Sequence, residues 1–444
     1  MTIMKRRNFI KAGSLGAAGA VLASSNRFSG VLGANDSINI AVIGTRGRGK
    51  ALTKAAGICE NVRVSHVCDV DTEILDEHLA YSEQELGYKP ESETDFRRIL
   101  ENKDVDAIAV ATPEHWHAPM AIMGMQAGKH VYVEKPCSHN PHENELLVQA
   151  REKYGKACQM GNQQRSSKTS AQAMRDIRDG VIGNVYMGKA WYSNTRESIG
   201  RGKVVPVPGN LDWDLWQGPA PREEYRDNVH PYNWHWFRAW GTGEIHNNGT
   251  HEIDICRWAL GVDYPVRAVS AGGRFHFTDD DWEYYDTQLA SYEFQGGKMI
   301  TWEGRSCNGL DHYDRSRGCT IHGTKGSILL DRGNYILYDL DDEVVKHLKE
   351  NEPGTSGSTA DTIGWDTLTV NHMRNFMAAI TDGEELHAPI EDGSISTMLC
   401  HLGNISQDLG RSLDVDPANG HILNDEEAMR KWTRDYEKGW EVKV

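Results

Sequence analysis

Short apolar runs alternate with amphipathic stretches through the first third of the chain, and the alternation stops near Gly161. The runs at 37–43, 62–69, 107–111 and 130–133 read as strands. Between them, residues about 50–57 and 115–127 read as helices, with Gly44 and Gly128 marking boundaries. Strand and helix in succession predict a parallel α/β sheet of the dinucleotide-binding kind, whose ligands sit outside the carboxyl ends of the strands. Beyond Gly161 the period changes. Segments 184–192, 266–277, 285–294 and 298–304 alternate or are β-rich, as antiparallel strands facing a core do, and 321–328 reads as a hairpin turn. From 371 to 409 a period of 3.6 predicts C-terminal helices. The expected organisation is an α/β protein with a Rossmann domain at 36–160 and a second domain at 161–444.

The first 35 residues follow another pattern. A basic cluster with paired arginines (Lys5-Arg6-Arg7) precedes a weakly apolar stretch at 12–23 and small residues near 31–34. That order resembles a twin-arginine export signal, and the segment is too short to anchor stably in a bilayer. A periplasmic protein with no stable membrane span after signal removal is therefore expected. A disordered basic tail and an uncleaved signal acting as an anchor are the alternatives. The chain of 444 residues is long enough for two cores, and its 25% charged and 39% hydrophobic residues are ordinary for a globular protein. A net charge of −16 argues against a nucleic-acid partner. The eight cysteines are scattered without a CxxC, so no disulfide framework is expected.

Candidate chemistry gathers where the strands end. Strand 37–43 runs into Gly44-Thr45-Arg46-Gly47-Arg48-Gly49. Gly44 and Gly49 match the outer positions of G-x-G-x-x-G, where a tight turn and close helix packing are needed, while Arg46 stands in the middle position and Gly47 follows it. The next strand ends in Asp69, an acid suited to the adenosine ribose hydroxyls and hostile to a 2′-phosphate, which favours NAD over NADP. Two other roles stay open: Asp69 as a helix N-cap, and Arg46 as a phosphate contact that blurs the preference. Further on, a strand stops at Thr112-Pro113, His117 follows, and the last strand delivers Glu134-Lys135-Pro136. A lysine there can hold its ammonium over a ligand; the bland alternative is a surface lysine capping a strand.

The glycine turn, Asp69, the A-T-P-x-x-x-H-A stretch at 111–118, Gly128-Lys129-His130-Val131 and Glu134-Lys135-Pro136 together resemble the Gfo/Idh/MocA family of glucose–fructose oxidoreductases and inositol dehydrogenases. The resemblance runs from about Ile38 to the C-terminus. It implies a Rossmann domain followed by an α/β domain with a large, mostly antiparallel open sheet, and a homo-oligomer, dimer or tetramer. It also implies NAD held by Gly44, Thr45, Arg46, Gly47, Gly49, Asp69, Thr112, Pro113, His117, Glu134 and Lys135, with Lys135 beside both nicotinamide and substrate hydroxyl. In the second domain, residues 241–254 resemble the family's G-G-x-x-x-D-x-G-x-H-x-x-D segment. There His251 aligns with the catalytic histidine, and Asn247 takes the place of the usual aspartate, one helical turn before it. Loss of that carboxylate should lower the histidine pKa, and Glu244 or Asp254 are candidate substitutes. His246 and His251 have poor spacing for ligands on one helix face and no cysteine or acid cluster beside them, so no metal is expected.

The aromatic stretch 230–240, with Trp236 and Arg238, combines ring faces and polar groups as carbohydrate sites do, although a core or dimer patch explains the tryptophans equally well. Arg165, after the last Rossmann strand, is placed to reach the same cleft. The leading expectation is an NAD-dependent oxidoreductase that oxidises a secondary hydroxyl of a sugar, glycoside or cyclitol, with Lys135 polarising the oxygen, His251 exchanging the proton and Asn247 orienting it. The alternative is a redox-neutral NAD-dependent glycosidase of the N-acetylgalactosaminidase kind, although that branch departs from the E-K-P motif kept here. A non-catalytic sugar-binding relative is a third reading, against which both Lys135 and His251 count.

Overall fold

The computed structural model describes residues 37–350 and 367–444; the export-type segment lies outside them. The first domain contains β1 (Ile38–Ile43), α1 (Gly47–Ile58), β2 (Val62–Cys68), α2 (Thr72–Leu86), β3 (Glu91–Glu93), α3 (Phe96–Glu101), β4 (Ala107–Val110), α4 (His117–Gln126), β5 (His130–Val133), α5 (Pro141–Tyr154) and β6 (Cys158–Met160). Its six strands are parallel, in the order β3-β2-β1-β4-β5-β6. β1, β4 and β5 are apolar and buried on both faces, the pattern of a sheet covered by helices on each side. The order reverses between β1 and β4, which opens a crevice at their carboxyl ends.

The second domain begins with α6 (Lys168–Arg178) and β7 (Val185–Ser193), followed by α7 (Trp213–Gln217) and α8 (Thr250–Leu260). Then come β8 (Arg267–Gly273), β9 (Thr287–Phe294), β10 (Lys298–Arg305), β11 (Arg317–Gly323), β12 (Gly326–Leu330), β13 (Asn334–Tyr338) and β14 (Val344–Lys349). After α9 (Thr367–Thr381) and α10 (Ile390–Leu409), β15 (Leu413–Asp414) and α11 (Glu426–Met429) complete it. The nine strands run β14-β13-β12-β11-β7-β10-β9-β8-β15, and only the β7–β10 pair is parallel. The expected strand at 266–277 stops at Gly273; there the Asp286 carboxylate accepts from the backbone N–H groups of Phe275 and His276, replacing ladder bonds. The hairpin turns at Thr324-Lys325, between β11 and β12.

The C-terminal helices join the two halves. Met373, Phe376, Met377 and Ile380 of α9 pack into the core beneath β1 and β4. In α10, Ile390 belongs to the first domain's core, whereas Met398, Leu399 and Leu402 belong to the second's. The chain ends against the first domain, where Trp440 meets the Trp116 ring edge-on at 5.0 Å.

Four histidines lie near this junction: His115, His246 and His401 are buried and His139 is half-buried. The His246 and His401 rings are 4.3 Å apart. Burial pushes His115 and His246 down to about 3, and His139 and His401 well below the ordinary imidazole range. Their folded values lie below their unfolded ones, so their contribution to stability is full above about pH 6.5 and declines as pH falls. We expect each to remove about 1 kcal/mol of stability per pH unit below that point. Thermal unfolding followed from about pH 7.5 to about pH 5 should therefore show a steep fall in Tm. A flat Tm across that window would show that the four rings take up protons in the fold as readily as in the unfolded chain.

Candidate active site

A cleft of about 1180 Å³ lies between the two sheets. It is larger than the roughly 300–1,000 Å³ typical of a site for one small ligand, and so suits a dinucleotide with a substrate.

Its first end is built on the glycine turn. Gly44 has φ +87°, and a Cβ there would lie 2.6 Å from the Ala111 carbonyl; a Cβ on Gly49 would lie 2.0 Å from the Gly44 oxygen. Arg46 has φ −74° and ψ −158°, ordinary extended backbone, so that position never required glycine. The helix accordingly starts at Gly47 rather than near Lys50. Its first turn borders the cleft and has no side-chain cap, which leaves N–H groups suited to a phosphate. Asp69 also lines the cleft. Its carboxylate accepts from Thr45 N (2.8 Å), Thr45 Oγ1 (2.9 Å) and Asp71 N (3.1 Å). Burial raises its carboxyl pKa, and these three bonds oppose the rise. The N-cap of α2 is Asp71, not Asp69. Arg46 is drawn to Asp71 at 2.8 Å and lies 3.3 Å from His230 Nε2, so its charge is compensated within the protein.

The second domain closes this end. Leu211 forms a β-bridge with Asp71, Asp212 N donates to the Val70 carbonyl (3.0 Å), and Thr72 N donates to the Asn210 carbonyl (2.9 Å). Leu215, Trp216 and His230 from the same segment line the cleft opposite Asp69. NAD is expected to bind at least about tenfold more tightly than NADP, because a 2′-phosphate would meet Asp69. Titration of both cofactors checks this; equal affinities would mean that Arg46 governs the pocket.

At the centre, β5 delivers Glu134 and Lys135. Glu134 Oε1 accepts from Arg48 Nε (2.7 Å) and Gln163 Nε2 (3.0 Å). Lys135 Nζ donates to the Asn247 backbone oxygen (2.6 Å) and to its Oδ1 (3.3 Å). Burial lowers the lysine pKa, the carboxylates of Glu134 and Glu114 oppose that, and Arg317 and Arg48 add to it. His117 spans the Thr112 carbonyl (2.8 Å) and the Pro136 carbonyl (2.6 Å), tying the ends of β4 and β5 together. The buried Thr112 hydroxyl lines the cleft without a hydrogen-bond partner, as a group awaiting a ligand would. The uncapped turn, this hydroxyl and Asp69 fit a dinucleotide.

The helical spacing expected for Asn247 and His251 needs correction. Residues Ile245–Gly249 form a π-turn ahead of α8, whose wider spacing breaks the α-helical register. Asn247 does not orient His251. Its carboxamide accepts from Lys135 and donates to Glu244 Oε1 (3.3 Å). An amide bridges an ammonium and a carboxylate, whereas an aspartate would face Glu244 with like charge. Glu244 itself is held by Arg196 Nε (2.7 Å), and Asp254 by Arg165, so neither stands in beside His251. His251 is buried in the cleft wall with an unpartnered Nδ1. Burial, reinforced by Arg332, Lys135, Arg317 and Arg48, pushes it well below the usual imidazole range, so it is a neutral ring.

Three expected substrate contacts lie elsewhere. Arg165 is buried in bidentate pairing with Asp254 (2.7 and 2.8 Å) and in a pair with Asp392 (2.7 Å); a buried guanidinium needs both carboxylates. Trp236 is stacked on Trp282 at 4.0 Å beneath Arg196, inside the core. Arg238 turns outward to Asp408 (2.8 Å). The aromatic stretch divides between them: His230, Pro231, Tyr232, Trp234 and His235 face the cleft. Tyr192, Arg196, Arg317 and Arg332 also line it and went unnoticed in the sequence, as did Glu114. Only Glu114 had a local signal, an acid directly after Thr112-Pro113 at a strand's carboxyl end. Among the described residues no three His, Cys, Asp or Glu side chains converge as a metal site.

Comparison with known proteins follows the same division. A profile described as "Oxidoreductase family, NAD-binding Rossmann fold" matches residues 38–162, and one described as "Oxidoreductase family, C-terminal alpha/beta domain" matches residues 175–411. A glycosyl hydrolase family 109 protein from Shewanella pealeana is 29% identical over 210 residues, 43% of this chain and 46% of that protein, so the match spans about half the length of this curated relative. Aldose–aldose oxidoreductase from Caulobacter crescentus, complexed with glycerol, superposes with a TM-score of 0.64 at 18% identity, covering 85% of this chain and 100% of that one. Levoglucosan dehydrogenase, complexed with NADH and levoglucosan, gives 0.63 at 20% identity, covering 85% and 99%. These two likenesses are of fold.

Proposed function

The chain belongs to the Gfo/Idh/MocA oxidoreductase family, and from that premise we propose that it is an NAD-dependent oxidoreductase oxidising a secondary hydroxyl of a sugar, glycoside or cyclitol. The observation that carries this reading is Lys135, held at the carboxyl end of β5 by the Asn247 carbonyl of the opposite domain, in a cleft that begins at the glycine turn. The N-terminal turn of α1, Asp69, Thr112 and Glu134 would hold NAD, which when bound supplies a hydride acceptor. Lys135 then polarises the substrate oxygen, with Asn247 fixing the ammonium. His251, neutral and with a free Nδ1, offers a hydrogen-bonding partner to the same hydroxyl. Tyr232, Trp234 and His235 give the cleft aromatic surface suited to the C–H faces of a sugar ring.

Relatives named glycosyl hydrolase family 109 protein favour a second reading, redox-neutral glycoside cleavage on the same machinery. The retained E-K-P motif ranks simple oxidation first. Mixing the purified protein with each of a panel of sugars and glycosides in turn and recording the absorbance of its bound nicotinamide tests the reading; at least one should reduce that bound cofactor, and none would refute it.

Twin-arginine export is proposed on Arg6-Arg7, in the segment outside the described residues. Arg6→Lys with Arg7→Lys is expected to leave the protein in the cytoplasm, and unchanged fractionation would reject that role. Among the described residues no helix is long and apolar enough to cross a membrane. Exposed Tyr186, Val269 and Leu289 on β7, β8 and β9 support oligomerisation through this sheet, which the mass in solution tests.

A further inference from the structure

We propose that Glu244 is the positioning residue of this cleft: one buried carboxylate aims the Asn247 carboxamide at Lys135 and braces Arg196 on the substrate side. This rests on the reading of Lys135 as the group that polarises a substrate hydroxyl. Glu244 comes just before the π-turn and is buried behind side chains that line the cleft. Four side chains converge on its two oxygens. Oε2 accepts from Arg196 Nε (2.7 Å) and Ser306 Oγ (3.1 Å). Oε1 accepts from Asn247 Nδ2 (3.3 Å), Arg196 Nη2 (3.4 Å) and Asn248 Nδ2. Burial raises the Glu244 carboxyl pKa, but Arg196, Asn248 and Ser306 outweigh burial and hold the group charged.

A carboxylate only accepts hydrogen bonds, whereas an ammonium or a guanidinium only donates them. Each of the two asparagines stands between one group of each kind. Asn247 turns its Nδ2 to Glu244 and its Oδ1 to Lys135 Nζ (3.3 Å). Asn248 turns its Nδ2 to Glu244 and its Oδ1 to Arg317 Nη1 (3.2 Å). A single carboxylate thus orients two consecutive amides in the same sense, each with its oxygen on a cation that lines the cleft. The third arm is Arg196, also in the cleft lining, whose Nη1 donates to the Tyr232 hydroxyl (3.2 Å). Lysine and aromatic wall are therefore set by one group that touches neither.

Glu244→Gln keeps the shape of this hub and removes half of its accepting power. Arg196 claims the one remaining oxygen, so the new amide N–H groups face the asparagines. Asn247 must then turn its own Nδ2 towards Lys135, donor against donor. Asn247→Asp fails for the opposite reason, because it sets a carboxylate against a carboxylate. Combining the two substitutions moves the charge instead of deleting it. The new carboxylate accepts from both the glutamine amide and Lys135, while Arg196 still lacks its ion pair.

Steady-state kinetics on the full protein with its cofactor, using whichever sugar the wild type oxidises, test this. Each single variant should lose about tenfold or more in kcat, the scale of one hydrogen bond to a charged group. Glu244→Gln should also raise KM severalfold through Arg196. The double variant should recover most of the kcat while its KM stays raised. Thermal unfolding and NAD(H) content of each variant show that it is folded. Should Glu244→Gln fail to fold, Asn247→Asp alone decides, and a wild-type kcat there overturns the proposal. A kcat that never falls in the single variants, or one that stays low in the double variant, overturns it while leaving the oxidoreductase reading intact. A KM restored together with kcat overturns the Arg196 arm. A wild type that oxidises no carbohydrate overturns both readings.

Discussion

Replacing Lys135 with methionine is expected to remove about 10²–10⁴ of the turnover rate while the protein stays folded. The ammonium lies at the centre of the cleft, where its hydrogen bonds go to Asn247, and it belongs to none of the apolar clusters that make the cores. Methionine keeps the length of the side chain and loses the charge. What the fold forfeits is the donor to the Asn247 carbonyl, a loss of about 1–3 kcal/mol if that oxygen stays dry. The Rossmann sheet and the turn at Gly44 are untouched, so cofactor affinity should stay close to wild type. Steady-state rates, thermal unfolding and cofactor titration on one preparation separate these effects. Near-native turnover would place the chemistry elsewhere.

The protein is also expected to emerge from purification with NAD(H) already bound, and to turn over repeatedly without net NADH accumulation. Retention follows from how the cleft is closed. The segment carrying Leu211, Asp212, Trp216 and His230 crosses from the second domain over the adenosine end and hydrogen-bonds to Val70 and Thr72 of the first. The Trp216 carbonyl then accepts from both Trp116 Nε1 and His115 Nε2 at 2.9 Å. Dissociation of a dinucleotide requires this strap to lift, which breaks several main-chain bonds at once and lowers the off-rate. The proposed export strengthens the case, because a compartment without a nicotinamide pool demands a cofactor that stays and is recharged in place. Denaturing the purified protein and assaying the supernatant for NAD(H) measures the content. Empty protein, with activity proportional to added NAD and stoichiometric NADH release, would contradict the expectation and weaken the export proposal with it.

The Rossmann half was legible because its demands are local. Gly44 must adopt a left-handed conformation against Ala111, and β1, β4 and β5 must be apolar on both faces; each requirement is written at the residue that meets it. The substrate side was less so. Whether Arg165 points into the cleft depends on Asp254 and Asp392, and Trp236 depends on Trp282, partners remote in sequence. The stretch 230–240 therefore read as one aromatic patch, although His230, Tyr232, Trp234 and His235 line the cleft, Trp236 and Trp240 are buried in the core and Arg238 turns outward. The π-turn at Ile245–Gly249 has no sequence marker of its own, and it converts Asn247 from a presumed partner of His251 into the holder of Lys135.

The central claim is that this cleft oxidises a carbohydrate hydroxyl at Lys135, and product mass spectrometry tests it most directly. Purified wild type and Lys135→Met would be incubated with the same panel of sugars, glycosides and cyclitols. The account predicts, for wild type alone, a ketone lighter than its parent by two hydrogen atoms; a freed aglycone at unchanged sugar mass would assign the redox-neutral route instead. No product from any member of the panel, or the same product from both proteins, would contradict it.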